Sequence, residues 1–273
     1  MFFFKRKKSV RNEEAQKKVE FDSSNLPQLI KYVKKYSGVD LSSKTDVLTR
    51  RFTTFCKQRD IDSFDELLVM IEKDASLRQK FMNLLTVNET YFLREEIQLF
   101  SAVELLKEGK KRVLSAPCAS GEEVFSLAFL AHEAGVSEFD IVGIDLSSKA
   151  IDKANESTYS SRSLHKFQKE QVLKYFEALG ENYRVKPKYQ RGIKFKVCNV
   201  FSEEFQNLGE FDAILSRNMM IYFNEKYKLK TIEVFHKLLK PQGRLYVGHA
   251  DLIPQNQLYK KVTKDRLTYY EKI

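Results

Sequence analysis

From about residue 111 to the end, short apolar runs alternate with amphipathic stretches of helical period, and this rhythm restricts the fold more than any other feature. Arg112–Ala116 reads as a strand, Glu122–Ala134 as a helix, and Phe139–Ile144 as a strand ending at Asp145. Ser148–Asn155 reads as a helix, Phe195–Cys198 and Phe211–Ser216 as strands, and Glu225–Leu239 as a helix stopped by Pro241 and Gly243. Arg244–Val247 and Leu267–Glu271 complete the strands. Parallel neighbours need crossover connections, so strands alternating with helices predict a doubly wound, mainly parallel α/β sheet. Residues 156–192 break the rhythm with a polar helix, Lys169–Ala178, and Tyr183–Tyr189, which reads as a small inserted strand pair.

The front of the chain has a different texture. Leu26, Leu29, Ile30 and Val33 recur at helical spacing, and Gly38 suits a helix stop. Ser42 or Ser43 would cap a second helix carrying Val47, Leu48, Phe52 and Phe55. Further helices are predicted at Ser63–Glu72 and Leu77–Leu85. The expected organisation is a basic tail over 1–23, disordered in expectation, an all-α domain over 24–86, and an α/β domain over 87–273 with an insertion at about 160–192.

Composition sets the outer limits. The chain has 273 residues, 42% hydrophobic and 31% charged, enough for two soluble units. No apolar run approaches the ~20 residues of a membrane span, and Phe2–Phe4 before a basic cluster is too short for a signal peptide. Cys56, Cys118 and Cys198 are scattered and odd in number, which fits reduced thiols and a cytoplasmic location. With no CxxC and only 4 histidines, no metal site is expected. The net charge is +10, yet residues 1–60 hold 15 Lys/Arg against 7 Asp/Glu. A basic end on a near-neutral body implies an acidic partner. For residues 1–18 a solvated tail is the simpler reading, with weak contact to anionic membrane as the alternative.

Candidate chemistry gathers where strands end, because ligands of open α/β sheets bind at the carboxyl ends. Ser115–Glu123, SAPCASGEE, joins the first strand to the first helix, and Gly121 lets backbone pass close to a ligand. It is neither GxGxxG nor GxxxxGK[ST]. Glu122 and Glu123 in the first helical turn would repel a pyrophosphate and suit a cation, or simply complement the helix dipole. Asp145 ends the second strand, where an acidic residue commonly holds ribose hydroxyls; otherwise it is a turn residue. A cationic ligand with ribose and no phosphate describes S-adenosylmethionine. Phe211–Phe223, FDAILSRNMMIYF, is a buried strand that stops on Arg217 and Asn218, with Tyr222 four residues after Asn218. Arg217 and Asn218 are site residues or turn formers. Asn88–Arg94, NETYFLR, places Arg94 among apolar neighbours, where it needs an anionic partner if buried.

Asn88–Arg94, Ala119–Glu123, Asp145, Arg217–Phe223 and Gly248-His249 occur in that order, and together they closely resemble the CheR chemotaxis receptor methyltransferases over roughly residues 24–273. The resemblance implies a Rossmann-like methyltransferase sheet with a small inserted β-subdomain behind an all-α domain. It implies methylation of chemoreceptor glutamates from S-adenosylmethionine, with S-adenosylhomocysteine as product. By motif position it makes Asn88, Thr90, Arg94, Glu123, Asp145, Asn199, Val200, Arg217 and Asn218 cofactor contacts, with Asn199-Val200 facing the adenine. Arg94 and Tyr222 fall nearest the transferred methyl. The partners implied are acidic cytoplasmic receptor helices, not nucleic acid, and a monomer is expected. Lys44, Arg51 and Lys57 are the implied receptor contacts; Arg50 and Lys57 also recur seven residues apart, and a solvated helix face is the alternative. Val124-Phe125, Leu93 and Ala250-Asp251 depart from the family pattern without removing a motif charge. An RNA methyltransferase is the competing enzyme reading, although Asn/Asp-Pro-Pro-aromatic is absent after the fourth strand. A catalytically silent docking or cofactor-sensing module is the other.

Overall fold

The computed structural model describes residues 21–42, 45–86 and 88–273. The front consists of α1 (Leu26–Ser37), α2 (Thr45–Lys57), α3 (Phe64–Lys73) and α4 (Ala75–Met82). Gly38, at φ 80°, ends α1 in the left-handed conformation that costs glycine least. Ser63 Oγ caps α3 by accepting the Glu66 N–H, and Asp74 caps α4 through the Ser76 and Leu77 N–H groups. Leu29, Val33, Phe52, Phe64, Ile71 and Phe81 close a separate core. Val47, expected on the inner face of α2, is 61% exposed instead. It stands about 100° around the helix from Leu48, and the buried stripe is Leu48, Phe52, Phe55 and Cys56. The Ser43 cap and Lys44 lie outside the described residues.

The second unit begins with α5 (Glu96–Lys107), β1 (Arg112–Ser115), α6 (Glu122–Glu133), β2 (Asp140–Asp145) and α7 (Ser148–Glu156). An insertion follows, made of β3 (Thr158–Ser160), α8 (Lys169–Tyr175), β4 (Phe176–Leu179) and β5 (Asn182–Val185). The chain then runs through β6 (Ile193–Val197), α9 (Glu203–Gln206), β7 (Phe211–Ser216), α10 (Glu225–Leu238), β8 (Leu239–Val247), β9 (Tyr259–Lys264) and β10 (Leu267–Lys272). The main sheet has the order β6-β2-β1-β7-β8-β10-β9. Pairing is parallel from β6 through β8, and antiparallel at β8–β10 and β10–β9. The chain winds outward from β1 to β6 and then returns to β7 on the other side of β1, so the strand order reverses at the centre of the sheet. Asp212, the one charge inside β7, is buried because it accepts the Arg112 N–H (3.0 Å) and pairs with Lys240 (2.9 Å).

Several predicted elements are corrected. The insertion is a three-stranded antiparallel sheet, β3-β5-β4, rather than a strand pair. Its helix stops at Tyr175 because Phe176 turns inward to an aromatic cluster with Phe92, Phe129, Tyr159 and Tyr189. β8 starts at Leu239, and Pro241 and Gly243 lie within it, where the β7–β8 register shifts and no regular ladder bond is lost. α5, α9 and β9 are absent from the sequence prediction. α5 starts after Glu95, at φ 50°, without a side-chain cap, and its buried Leu99, Ala102, Val103, Leu105 and Leu106 form no narrow stripe.

Candidate active site

The carboxyl ends of β1, β2, β6 and β7 open into one cleft. Ile144, Asp145, Val200, Asn218 and Tyr222 line its wider part, which is open to solvent. Thr90, Arg94, Ala119, Glu123 and Arg217 line a narrower arm, and Asn88, Pro117, Asp145 and Asn218 border both. All nine residues predicted as cofactor contacts, together with Tyr222, therefore fall around this cleft.

Arg217 and Glu123 form its floor. Their side chains are 3% and 9% exposed and make an ion pair through Arg217 Nε. Glu123 Oε1 also accepts the Ser115 hydroxyl (2.7 Å). Arg217 Nη1 donates to the Arg94 carbonyl (2.6 Å), so the end of β7 fixes the backbone of the segment carrying Arg94. That segment is anchored on its other side by Phe92 in the aromatic cluster and by the Leu93 N–H, which donates to Ser126 Oγ (3.0 Å). Leu93 and Glu95 both have positive φ, 58° and 50°, so the chain on either side of Arg94 is held in a conformation that L-residues rarely adopt. The guanidinium donates to the Glu89 carbonyl (3.2 Å) and lies 5.8 Å from the centre of the Tyr91 ring, and among the described residues no carboxylate pairs with it.

Asp145 is buried, with Oδ2 accepting the Ala119 N–H (3.0 Å) and Oδ1 the Ser147 N–H (2.8 Å). Burial outweighs these bonds and pushes its carboxyl up to about 6. Glu122, the neighbour of Glu123, faces away from the floor. It is buried, accepts the Ser120 and Ser163 hydroxyls, and burial raises its pKa. Cys118 and Cys198 are buried with raised thiol pKa values, which makes them poor nucleophiles.

One important residue was visible in the sequence only as a departure from the family pattern. Asp251 is buried and accepts three backbone N–H groups: Asn218, Ile221 (2.9 Å) and Gly248 (3.1 Å). It holds the turn that carries Asn218, at φ 60°, and Tyr222. Gly248 leaves no room for a side chain there, since a Cβ would lie 2.9 Å from both Asn218 N and Asp251 Oδ2. Asn199 lines the cleft and is also bonded outside it: its Nδ2 donates to the Tyr36 carbonyl (2.6 Å) and its Oδ1 accepts the Phe201 N–H, so its amide ties the helical unit to the sheet.

The helical unit reaches this cleft at two further places. Asn83 Oδ1 accepts the Ser148 N–H (3.0 Å), its Nδ2 donates to Ser148 Oγ (2.9 Å), and Gln79 Nε2 donates to the Leu146 carbonyl (2.7 Å). The Asp40 N–H donates to the Tyr222 carbonyl (2.8 Å), and Val39 bridges Phe223. On α2, Arg50, Arg51 and Lys57 are exposed, but the Arg51 guanidinium also donates to the Leu84 carbonyl at the end of α4.

The ends of the central strands, the first turn of α6 and the segment before α5 thus bring Asp145, the paired Arg217 and Glu123, and Arg94 to one cleft, and the comparisons give that cleft its class. Residues 24–86 match "CheR methyltransferase, all-alpha domain", and residues 88–268 match "CheR methyltransferase, SAM binding domain". The chain belongs to the CheR methyltransferase family, and its cofactor is S-adenosylmethionine. A Campylobacter jejuni chemotaxis protein methyltransferase is 40% identical over 94% of this chain and 100% of its own length. A Listeria monocytogenes protein of the same description is 29% identical over 87% of this chain and 93% of its own.

Proposed function

We propose that the protein transfers the methyl of S-adenosylmethionine to glutamate side chains on acidic cytoplasmic helices of chemoreceptors, producing methyl esters. The observation that carries this reading is that the Arg94 guanidinium, with no carboxylate partner among the described residues, shares one cleft with Asp145 and Tyr222. Names of relatives add that the family works in chemotaxis. The cleft suits this cofactor: Asp145 offers a carboxylate to ribose hydroxyls, Ile144 and Val200 give apolar walls to a base, and the floor charge is already neutralised by the Glu123–Arg217 pair.

When bound, S-adenosylmethionine supplies an electrophilic methyl on a sulfonium. A glutamate with an ordinary pKa near ~4.3 is ionised at neutral pH, so no general base is needed. The cofactor, held by Asp145 and the apolar Ile144 and Val200, would supply its methyl to a carboxylate oxygen of that glutamate and keep the broken bond's electron pair on its sulfur, so this chain's residues would have no proton to move. The protein's task is positioning. Arg94 orients the carboxylate without a bidentate grip that would quench it, and Tyr222 lines the methyl path. Incubating receptor-containing membranes with methyl-labelled cofactor should put base-labile label on the receptor. Arg94→Ala and Tyr222→Phe should each lower turnover at least about tenfold. Label on RNA, or binding without transfer, would refute the assignment.

Cofactor affinity should depend on pH through Asp145. The ionised form accepts ribose donors, so S-adenosylhomocysteine affinity measured by calorimetry should fall as pH drops through about 6. Stability of the ligand-free protein should move the other way. Between 3.8 and about 6 the folded carboxyl keeps a proton that the unfolded one has lost, so this residue's contribution declines as pH rises. Both trends should vanish in Asp145→Asn. The acidic-partner reading predicts that Arg50→Glu/Lys57→Glu raises the apparent KM for receptor and leaves cofactor affinity alone. Arg50 replaces Arg51 in that test because Arg51 also secures α4.

A further inference from the structure

The segment that carries Arg94 into the cofactor cleft also borders a second hollow. Leu93 and Glu95, on either side of Arg94, line it together with Ile97 and Gln98 at the start of α5. Lys166 ahead of α8, His249 after β8 and Arg266 between β9 and β10 stand around it, and all three are exposed. Lys166 and Arg266 have no carboxylate partner among the described residues, and the exposed carboxylate of the lining is Glu96. Glu95 is largely buried between Arg217 (3.9 Å) and His249 (3.6 Å). Gln98 Nε2 donates to the Val247 carbonyl (2.8 Å), which leaves Gln98 Oε1 buried without a partner. Buried polar atoms of folded proteins are nearly always bonded, so this acceptor marks a place where a donor from outside the chain fits. Ile97 is 42% exposed, and Phe100, one turn further along α5, is 50% exposed. Residues three apart on a helix share a face, so the two form an apolar strip that starts at the hollow.

We propose that this hollow and strip dock the part of an acidic amphipathic receptor helix that flanks the methylated glutamate. This docking rests on receptor glutamates being the substrate, and it uses other elements than the basic face of α2. The chemistry fits that one occupant. Its apolar side would cover Ile97 and Phe100, its acidic side chains would meet Lys166, His249 and Arg266, and a hydroxyl or amide side chain would reach Gln98 Oε1. Side chains three or four apart lie on one helix face, so a helix that presents a glutamate to Arg94 carries its neighbours toward the hollow beside that segment. Charges at the rim of an interface act mainly on encounter and are screened by salt, whereas an apolar strip acts through buried area. The two halves of the site therefore have different signatures.

The test measures transfer of labelled methyl to receptor-containing membranes by the full-length protein. Lys166→Glu/Arg266→Glu should raise the receptor KM at least about fivefold at low salt, and the gap should narrow near ~0.5 M salt. Ile97→Ser/Phe100→Ser should raise it about tenfold at either salt. In both variants the effect on KM should exceed any effect on kcat, and S-adenosylhomocysteine affinity within about twofold of wild type reports that the variant is folded. A saturating soluble cytoplasmic fragment of the receptor should also shield the Phe100 ring from hydroxyl-radical labelling in the wild-type chain, a measurement that needs no variant. A receptor KM within about twofold of wild type in either folded variant, or a Phe100 ring labelled equally with and without the fragment, would overturn the inference while leaving receptor methylation intact. So would a dimer of the free protein that Ile97→Ser/Phe100→Ser dissolves, since the strip would then belong to a second copy. If the wild type puts no base-labile label on the receptor, the substrate reading falls, and this inference with it.

Discussion

Arg217→Ala should lower the free energy of unfolding by about 3–5 kcal/mol and remove cofactor binding. The substitution leaves the Glu123 carboxylate buried, with only the Ser115 hydroxyl bonded to it. It also releases the Arg94 carbonyl, so the segment flanked by the two positive-φ residues loses its clasp. Urea denaturation separates these effects. In Glu123→Gln/Arg217→Met the Glu123 charge is removed as well, while Glu95, whose carboxylate lies 3.9 Å from Arg217, keeps the exposed His249 beside it, so part of the lost stability should return. Ligand affinity should not return, because the clasp is still missing. A single variant within about 1 kcal/mol of wild type would mean that the pair is solvated, contrary to its burial.

Asp251→Ala should be the second severe change, costing about 3 kcal/mol or more and reducing kcat by at least two orders of magnitude. Three backbone donors lose one shared acceptor, and at an unrelaxed buried site each orphaned donor costs about 1–3 kcal/mol. Turn relaxation and entering water should recover part of that cost. The catalytic loss should exceed the loss in cofactor affinity, since Asp251 holds Ile221 and thus the approach to Tyr222, whereas Asp145 and its loop are secured separately. Asp251→Asn should fall between, keeping one accepting oxygen and turning an NH₂ toward the other donors. Gly248→Ala should reproduce the defect from the opposite side by pushing on Asn218. Equal kcat in Asp251→Ala and wild type would show that the turn is maintained by packing alone.

The two severe sites differ in how visible they were in sequence. Arg217 closes a long buried strand, so its exit at a sheet edge could be read from residue order, and Asp145 follows the same logic. Asp251 follows a strand by four residues in a stretch without regular structure, where an aspartate carries no periodic signal. Its role depends on Gly248 approaching Asn218, a contact between two loops that no local pattern encodes. Strands flanked by turn residues were legible for the same reason as Asp145, while α5 was not, because a helix packed against other elements on several sides loses its polar face. Asn199 carries a contact that no transfer by position foretells: the residue borders the cleft, and its amide also bonds Tyr36, 163 positions earlier in the chain. The likeness to the family named residues that all border the cleft, which periodicity did not, and it said nothing of the bonds from Gln79 and Asn83 to the loop after β2.

The sheet ends in β6 on one side and β9 on the other. Each outer strand alternates its side chains, and each includes exposed lysines: Lys194 and Lys196 on β6, and Lys260, Lys261 and Lys264 on β9. On β6 these ammonium groups pair with Asp140 (3.6 Å) and Glu204 (2.8 Å), whereas those of β9 have no carboxylate partner among the described residues, so a foreign strand or a second copy approaching the β9 rim would meet unneutralised charge. The β9 lysines thus guard that rim against runaway edge-to-edge stacking. Acetylating them would remove that protection while leaving every contact of the catalytic cleft in place.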